Sequence, residues 1–433
     1  MHRVRVQSLT AQDIAQLKPS PQQILNGEAH NWYRIILGFS DHLVAELLDE
    51  FQLQRGDLVL DPFCGSGTTL VECMKRGIDS IGIDANPSSH FAAQVKTNWR
   101  LLPERLRELT DDIRVRYRRT LSRKGDHEAD GTYRYLTESG MVARGWISEK
   151  PLRKAIATKH AIASLATTAP YRRALTLALV AEVVGSASNV KFGPELYCGK
   201  KKGDHDVLGG FTNRVDRIAA DLERLRRLDR GSARVFLGDA RACAEVLGKE
   251  GVNDIAAVIC SPPYPTEHDY TRNSRLELAF LEEVFNVDSL RVIKRGMIRS
   301  HTKGIYSTDD DSVRVKSNIR IQQIASSLRR KVRDKTYGFA RFYPTVVTEY
   351  FGGMKRHLET LFEVLRPGAP CAFVLGDQSS YQRVHISTAE LLGELATEVG
   401  FVNPTIRHWR DRWATATAKT VSENILVIRK PLR

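Results

Sequence analysis

Residues 61–69 read DPFCGSGTT and connect a short apolar segment, 58–60, to an apolar-patterned segment that ends at Gly77. A glycine-rich turn between a strand and a helix lets a ligand approach the backbone, because a side chain there would collide with it. The first amide groups of the helix point towards such a ligand. Residues 79–84 follow as a second strand that ends in an acidic residue. This order predicts a βαβ unit of a parallel sheet.

A second turn lies far along the chain, where SPPY follows another apolar strand-like segment. An exocyclic amine on a base is a poor nucleophile, because its lone pair is conjugated into the ring. The hydroxyl of Ser261 and the carbonyl of Pro262 can accept hydrogen bonds from both amine hydrogens, while Pro262 and Pro263 stiffen the turn. Tyr264 offers a flat face on which an extruded base can stack. The structural alternative is an ordinary proline-rich turn.

Length and composition limit the possible classes of protein. The 433 residues suffice for one large domain with insertions or for two domains. A net charge of +14 favours a polyanionic partner such as nucleic acid, although an unspecialised basic protein fits equally well. The six cysteines show no CxxC spacing, which argues against a metal site or a disulfide framework and fits a reducing cytoplasm. No apolar run is long enough to span a membrane.

Two stretches interrupt the sheet-type pattern. Residues 88–232 have mostly helical character and many arginines, and residues 290–340 form a second polar, basic stretch. We therefore predict three parts of the chain. Residues 1–87 form an N-terminal arm and the cofactor-binding part of the sheet domain, residues 88–232 a basic helical insertion, and residues 233–433 the catalytic part of the sheet domain.

The two turns together resemble the motifs of the amino-group DNA methyltransferases, whose catalytic motif reads (Asp/Asn/Ser)-Pro-Pro-(Tyr/Phe). The resemblance covers roughly residues 30–90, 232–285 and 345–430. It implies a Rossmann-like α/β methyltransferase sheet with a helical insertion, and S-adenosylmethionine as the methyl donor. It also implies duplex DNA as the substrate, a restriction-modification setting and a cognate restriction endonuclease as a partner.

The resemblance also implies individual roles around the cofactor. Asp61 and Gly65 would lie near its methionine part, and Asp84 would accept the ribose hydroxyls. Asp239 would lie near the adenine amine, but it could as easily be the N-cap of the next helix. An aromatic contact from Phe39 is expected, with core packing as an equal alternative. The predicted cofactor-binding residues are Phe39, Asp61, Pro62, Phe63, Gly65, Ser66, Gly67, Thr68, Asp84 and Asp239.

The residue before the two prolines bears on the substrate. Within the family, SPPY resembles the cytosine-N4 enzymes, and DPPY mostly the adenine-N6 enzymes. We therefore expect methylation of cytosine N4, with adenine-N6 methylation and a non-catalytic DNA-binding role as alternatives. Cytosine-C5 methylation needs a cysteine nucleophile after a proline, and Cys260 has no proline before it. Residues 88–232 and 290–340 compete for the recognition of the DNA sequence.

Overall fold

The computed structural model describes residues 5–7, 27–33, 38, 40–122, 127–192, 196–335, 338–379, 381–414 and 419–432. Within these residues the centre is an eight-stranded sheet, and a separate two-stranded hairpin lies in the insertion. The strands are β1 (Arg5–Gln7), β2 (Leu58–Asp61), β3 (Asp79–Asp84), β4 (Val190–Phe192), β5 (Leu196–Cys198), β6 (Ala233–Leu237), β7 (Ala257–Cys260), β8 (Pro370–Gly376), β9 (Val402–Ala414) and β10 (Lys419–Arg429).

Helices surround this sheet and form most of the insertion. They are α1 (Asp41–Glu50), α2 (Thr68–Lys75), α3 (Pro87–Lys96), α4 (Pro103–Ser122), α5 (Gly131–Glu138), α6 (Glu149–Ala163), α7 (Ala169–Glu182), α8 (Val207–Leu225), α9 (Cys243–Lys249), α10 (Tyr270–Asn273), α11 (Arg275–Phe280), α12 (Val287–Arg295), α13 (Ile319–Val332), α14 (Tyr343–Val364) and α15 (Thr388–Val399). Short 3-10 helices occur at His30–Trp32, Ala240–Ala242, Thr302–Gly304, Asp311–Val315 and Phe339–Phe342, and a π-helical turn at Val183–Ala187.

The strand order of the sheet is β1-β9-β10-β8-β7-β2-β3-β6. Strand β10 is antiparallel to both of its neighbours, and the other neighbouring strands are parallel. Because β2, β3, β6 and β7 run in the same direction, their carboxyl ends meet at one edge of the sheet. This architecture confirms the predicted Rossmann-like α/β fold.

Alternating side chains of the central strands pack into two different cores. Val59 and Ile259 pack with α1 on one face of the sheet. Leu60 and Val258 pack with α9, α13, α14 and α15 on the other face. Successive strand residues point to opposite faces, so a strand covered on both sides is apolar throughout. Accordingly, every residue of β7 and β8 is buried.

The helices between β3 and β6 bury a core of their own. Helices α4, α6, α7 and α8 contact one another, and their apolar faces form a cluster that includes Leu106, Leu152, Leu175 and Leu222. The segment 88–232 is thus largely helical, with the β4–β5 hairpin as an addition. The proposed limits of the three parts of the chain stay a prediction.

Some elements differ from the expected ones. The arm expected before residue 30 contains β1, which pairs in parallel with β9. The sequence predicts a helix over residues 350–365, but α14 begins earlier, at Tyr343, where Pro344 in the first turn suits a helix start. All six cysteines are free thiols, and Cys198 is the exposed one. No helix among the described residues combines the length and apolar character that crossing a membrane requires.

Candidate functional site

The glycine-rich turn lies between the end of β2 and the start of α2. Gly65 and Gly67 have φ angles of 52° and 85°, which side chains other than glycine rarely adopt. A Cβ atom on Gly67 would also lie 3.2 Å from the Cβ of Ala93. Two glycines therefore allow this turn to pass close to α3 and leave its backbone open to a ligand.

Asp61 and Ser66 support the turn from inside the protein. The carboxylate of Asp61 is fully buried and accepts hydrogen bonds from the hydroxyl of Thr69 at 2.7 Å and the amide of Phe63 at 3.1 Å. Burial raises its pKa to about 7. The hydroxyl of Ser66 accepts a hydrogen bond from Nζ of the buried Lys96 at 3.1 Å. Through these hydrogen bonds, both residues fix the shape of the turn.

Asp84 lies at the end of β3, directly beside the turn. Its two carboxylate oxygens accept hydrogen bonds from the amides of Gly65, at 2.8 Å, and Asn86, at 2.7 Å. Burial raises the pKa of Asp84 to about 7. Each oxygen keeps a second lone pair, and the residue lines a cavity. Asp84 can therefore still accept hydrogen bonds from hydroxyl groups of a ligand.

Asp239 follows β6 and has two roles. Its Oδ1 accepts a hydrogen bond from the amide of Arg241 at 2.9 Å, which makes it the N-cap of the next short helix. The guanidinium of Arg241 binds the same carboxylate, at 2.7 Å from Oδ2, and also reaches Asp311 at 2.6 Å. Asp239 nevertheless lines the cavity. Asp239 is thus both the N-cap of the next short helix and a residue of the cavity wall.

The proline-rich turn follows β7. The Oγ of Ser261 lies 3.4 Å from both the hydroxyl of Tyr264 and the backbone carbonyl of Val374. The hydroxyl of Tyr264 donates a hydrogen bond to Glu423 at 3.0 Å, and Glu423 also pairs with Arg410. Residues of β9 and β10 therefore hold the hydroxyl of Tyr264, which lines the cavity.

Both turns line one cavity of about 270 Å³. The predicted residues on its wall are Pro62, Phe63, Gly65, Asp84, Asp239, Ser261, Pro262, Pro263 and Tyr264. The other predicted residues, Asp61, Ser66, Gly67 and Thr68, are not on this wall, and Phe39 lies outside the described residues. The roles of all these residues stay predictions, but the cavity brings the two sequence motifs together.

Sequence reasoning missed one wall of the cavity, which belongs to α10 and α11. Tyr270, Asn273, Ser274 and Glu277 line it with the i, i+3, i+4, i+7 spacing of a single helix face. The amide of Asn86 donates a hydrogen bond to the hydroxyl of Ser274 at 3.0 Å, which joins this wall to the end of β3. The helical spacing just after the proline-rich turn was the signal that could have identified these residues.

A second missed wall is the segment 296–304, which lies in the polar stretch 290–340. The ion pairs of Arg241 with Asp311, and of Arg299 with Asp309 at 2.8 Å, hold it in place. His301 in this segment is buried, and this burial lowers its pKa to about 4. Its imidazole is therefore neutral at neutral pH.

One group of side chains has a spacing suited to a metal ion. Ligand atoms of His30, Asp41 and Glu72 lie within 4.8 Å of one another. However, Nζ of Lys75 lies 2.8 Å from Oε1 of Glu72, and Nε2 of His30 lies 2.8 Å from the same oxygen. The lysine already supplies the positive charge at this carboxylate, and we infer no metal site there.

Comparisons with known proteins agree with this arrangement. The profile of the N6/N4 methyltransferase family, described as DNA methylase, matches residues 33–94. The type II methyltransferase M.BsoBI of Geobacillus stearothermophilus is 28% identical over 408 residues, which cover 87% of this chain and 79% of that protein. The type II methyltransferase M.AvaI of Nostoc sp. is 25% identical over 430 residues, 93% and 86% of the two chains. The type II methyltransferase M.MjaII of Methanocaldococcus jannaschii is 55% identical over 53 residues, 11% and 10% of the two chains.

Proposed function

We propose that the chain is an amino-group DNA methyltransferase that uses S-adenosylmethionine as methyl donor and methylates the N4 amine of cytosine in duplex DNA. The observation that carries this proposal is the SPPY turn on the wall of the same cavity as the glycine-rich turn. With serine at its first position, the motif of this chain resembles that of the cytosine-N4 enzymes in this family. Adenine N6 is the alternative substrate on the same scaffold.

The residues on the cavity wall fit the cofactor. The open backbone at Gly65, the spare lone pairs of Asp84 and the carboxylate of Asp239 match the methionine, ribose and adenine parts of S-adenosylmethionine in turn. When bound, the cofactor supplies a methyl group that is electrophilic because it is attached to a sulfonium. No metal ion is needed in this proposal.

The proline-rich turn would hold and activate the base. The hydroxyl of Ser261 and the carbonyl of Pro262 accept hydrogen bonds from the amine, which favours a pyramidal nitrogen with an available lone pair. The ring of Tyr264 stacks on the extruded base, since the reacting nitrogen cannot be reached inside the duplex. The amine nitrogen would take the methyl group directly as the carbon–sulfur bond of the cofactor breaks, which leaves S-adenosylhomocysteine. The nitrogen would then release one proton to water, and no covalent bond would form between protein and base.

The product identifies the substrate. Duplex DNA methylated by the purified protein would be digested to nucleosides and analysed by liquid chromatography with mass spectrometry. Chromatography is needed because N4-methylcytidine and C5-methylcytidine derivatives have the same mass. We expect the N4-methylcytosine nucleoside, and its absence from a reaction with the Ser261→Ala, Tyr264→Ala double variant. Detection of N6-methyladenine alone would contradict the proposal and support the alternative substrate.

Two further parts of the proposal concern the surroundings of the enzyme. The segment 296–304 lines the cavity beside the proline-rich turn, which favours the stretch 290–340 over the insertion for contacts next to the base.

The relatives are named type II methyltransferases, so we infer a restriction-modification system with a cognate endonuclease and a cytoplasmic location. Disruption of the gene would then be lethal in cells that keep an active nuclease gene, and tolerated in cells that lack it.

A further inference from the structure

Glu277 lines the cavity and has one buried carboxylate oxygen without a partner among the described residues. The residue is 3% exposed and lies on the cavity wall. Its Oε1 accepts a hydrogen bond from the hydroxyl of Tyr33 at 2.8 Å. Its Oε2 is buried and has no hydrogen-bond partner among the described residues. Among the residues that the structure describes, no lysine, arginine or histidine forms an ion pair with Glu277.

A carboxylate in this position is unfavourable unless a ligand completes it. Burial raises the pKa of Glu277 to about 7, so that at neutral pH a large fraction is charged without a compensating cation. The phenol of Tyr33 satisfies only one of the two oxygens. The second oxygen therefore suits a ligand group that carries a positive charge and donates a hydrogen bond.

The neighbours of Glu277 place it in the cofactor half of the cavity. Ser274, one turn before Glu277, accepts the hydrogen bond of Asn86, and Asn86 in turn donates its backbone amide to Asp84. Tyr33 belongs to the segment upstream of the glycine-rich turn. The hydroxyl of Tyr264, in contrast, is bound by Glu423 of β10.

We propose that Glu277 binds the α-ammonium group at the amino-acid end of S-adenosylmethionine, with Tyr33 orienting the carboxylate. The cofactor carries two positive groups, the ammonium and the sulfonium. Only the ammonium has N–H groups that can donate to the unpartnered Oε2. This inference rests on the cofactor of the family and not on the choice of cytosine N4 as the methyl acceptor.

Two ligands separate the ammonium from the rest of the cofactor. S-adenosylhomocysteine keeps the amino-acid end but has no sulfonium and is not consumed. 5′-Methylthioadenosine lacks the amino-acid end altogether. Their affinities for the parent protein and for Glu277→Gln would be measured by isothermal titration calorimetry. We expect the substitution to weaken binding of S-adenosylhomocysteine about 10- to 100-fold, as the loss of a charged hydrogen bond does, and to leave 5′-methylthioadenosine binding unchanged.

Two variants serve as comparisons. Glu138→Gln changes an exposed glutamate of α5 that is not on the cavity wall and should affect neither ligand. Tyr33→Phe removes the orienting hydroxyl and should weaken S-adenosylhomocysteine binding less than Glu277→Gln does. An unchanged affinity of Glu277→Gln for S-adenosylhomocysteine, or an equal loss for both ligands, would overturn the inference. Failure of the cytosine-N4 proposal would instead appear in the methylated nucleoside, which this binding experiment does not use.

Discussion

Glu277 combines a binding role with a cost to the stability of the ligand-free protein. A carboxyl group whose folded-state pKa is raised from 4.5 to about 7 destabilises the fold as the pH rises through that window. Glutamine does not titrate. Without cofactor, Glu277→Gln should therefore match the parent near pH 4.5 and exceed its free energy of unfolding by on the order of 3 kcal/mol above about pH 8.

Denaturant unfolding of both proteins at several pH values checks this expectation. Glu138→Gln is the matched control, because its exposed side chain should leave the pH dependence of stability as in the parent. If the curves of Glu277→Gln and the parent run parallel across the window, Glu277 is not ionised in a buried state.

Tyr264 offers a test of stacking separate from cofactor binding. The Tyr264→Phe variant keeps the aromatic face and loses only the hydrogen bond to Glu423. Tyr264→Ala removes the face, and we expect it to lower kcat/KM on duplex DNA about 10- to 100-fold, compared with a much smaller loss for phenylalanine. Steady-state methylation kinetics provides the measurement, with S-adenosylhomocysteine affinity as a control that neither variant should change. Equal losses in the two variants would argue against stacking.

The residues that sequence reasoning identified are those with a local signature. Gly65 and Asp84 follow apolar strands, and Ser261 begins a four-residue motif, so each could be named from its neighbours in the chain. Glu277 could not, because its character comes from burial beside Tyr33, which is 244 positions away. The same holds for Glu423, whose contact with Tyr264 spans 159 positions.

At the level of elements, the β2–α2 turn depends on a glycine with two separate constraints. Gly67 combines a positive φ with a Cβ position 3.2 Å from Ala93, whereas Gly56 has a φ of 94° and an open environment. Gly56→Ala should therefore cost about 1 kcal/mol of backbone strain. Gly67→Ala should cost about 1–3 kcal/mol more, since the turn must also move away from α3.

The two glycine variants can be compared by thermal unfolding and by calorimetry with S-adenosylhomocysteine. We expect Gly56→Ala to bind like the parent and Gly67→Ala to lose affinity, because the displaced turn closes the approach to Gly65. A Gly67→Ala protein that binds normally would show that the turn can adapt without losing its function.

Two kinds of element were predictable from the sequence: strands with two apolar faces and helices with one apolar stripe. Strand β3 and helix α2 follow from hydrophobic pattern and glycine position. The apolar pattern of residues 401–409 and 424–429 predicts a final antiparallel pair, and β9 and β10 confirm it. Strand β1 was missed because its three residues contain one apolar side chain, Val6, which is too little for a strand pattern. Its pairing with β9 depends on the edge that the rest of the sheet presents.

For the whole molecule, the parallel sheet explains how distant motifs converge. The strand order puts β2 between β7 and β3, so the turns that follow these strands share one edge. Sequence pattern predicted this convergence, since parallel strands place their carboxyl ends together. The packing of the insertion as a separate helical core, and the use of the segment 296–304 as a cavity wall, depend on long-range contacts that no local pattern records.

The distribution of positive charge gives a test at the same scale. On α4, Arg105 pairs with Glu108 at 2.8 Å and Arg114 with Asp111 at 2.6 Å, so these arginines are already neutralised locally. Arg329 and Arg330 are exposed at the end of α13. The double variant Arg329→Gln, Arg330→Gln should reduce the salt dependence of DNA affinity by about two units of slope, one for each lost phosphate contact.

Fluorescence anisotropy with duplex DNA over a series of salt concentrations measures this slope. The matched double variant Arg105→Gln, Arg114→Gln should keep the slope of the parent, because its arginines are engaged with carboxylates of the same helix. If the slope fell in the Arg105→Gln, Arg114→Gln variant and not in the Arg329→Gln, Arg330→Gln variant, the phosphate contacts would belong to the insertion.

The contact between Tyr264 and Glu423 has a consequence for the order of folding. Glu423 lies on β10 and holds the tyrosine of the proline-rich turn from 159 positions away. The glycine-rich turn, in contrast, is held by Asp84, which is 19 positions from Gly65. Because the tyrosine hydroxyl is fixed only after β10 has paired with β8, the proline-rich turn acquires its final geometry later than the glycine-rich turn.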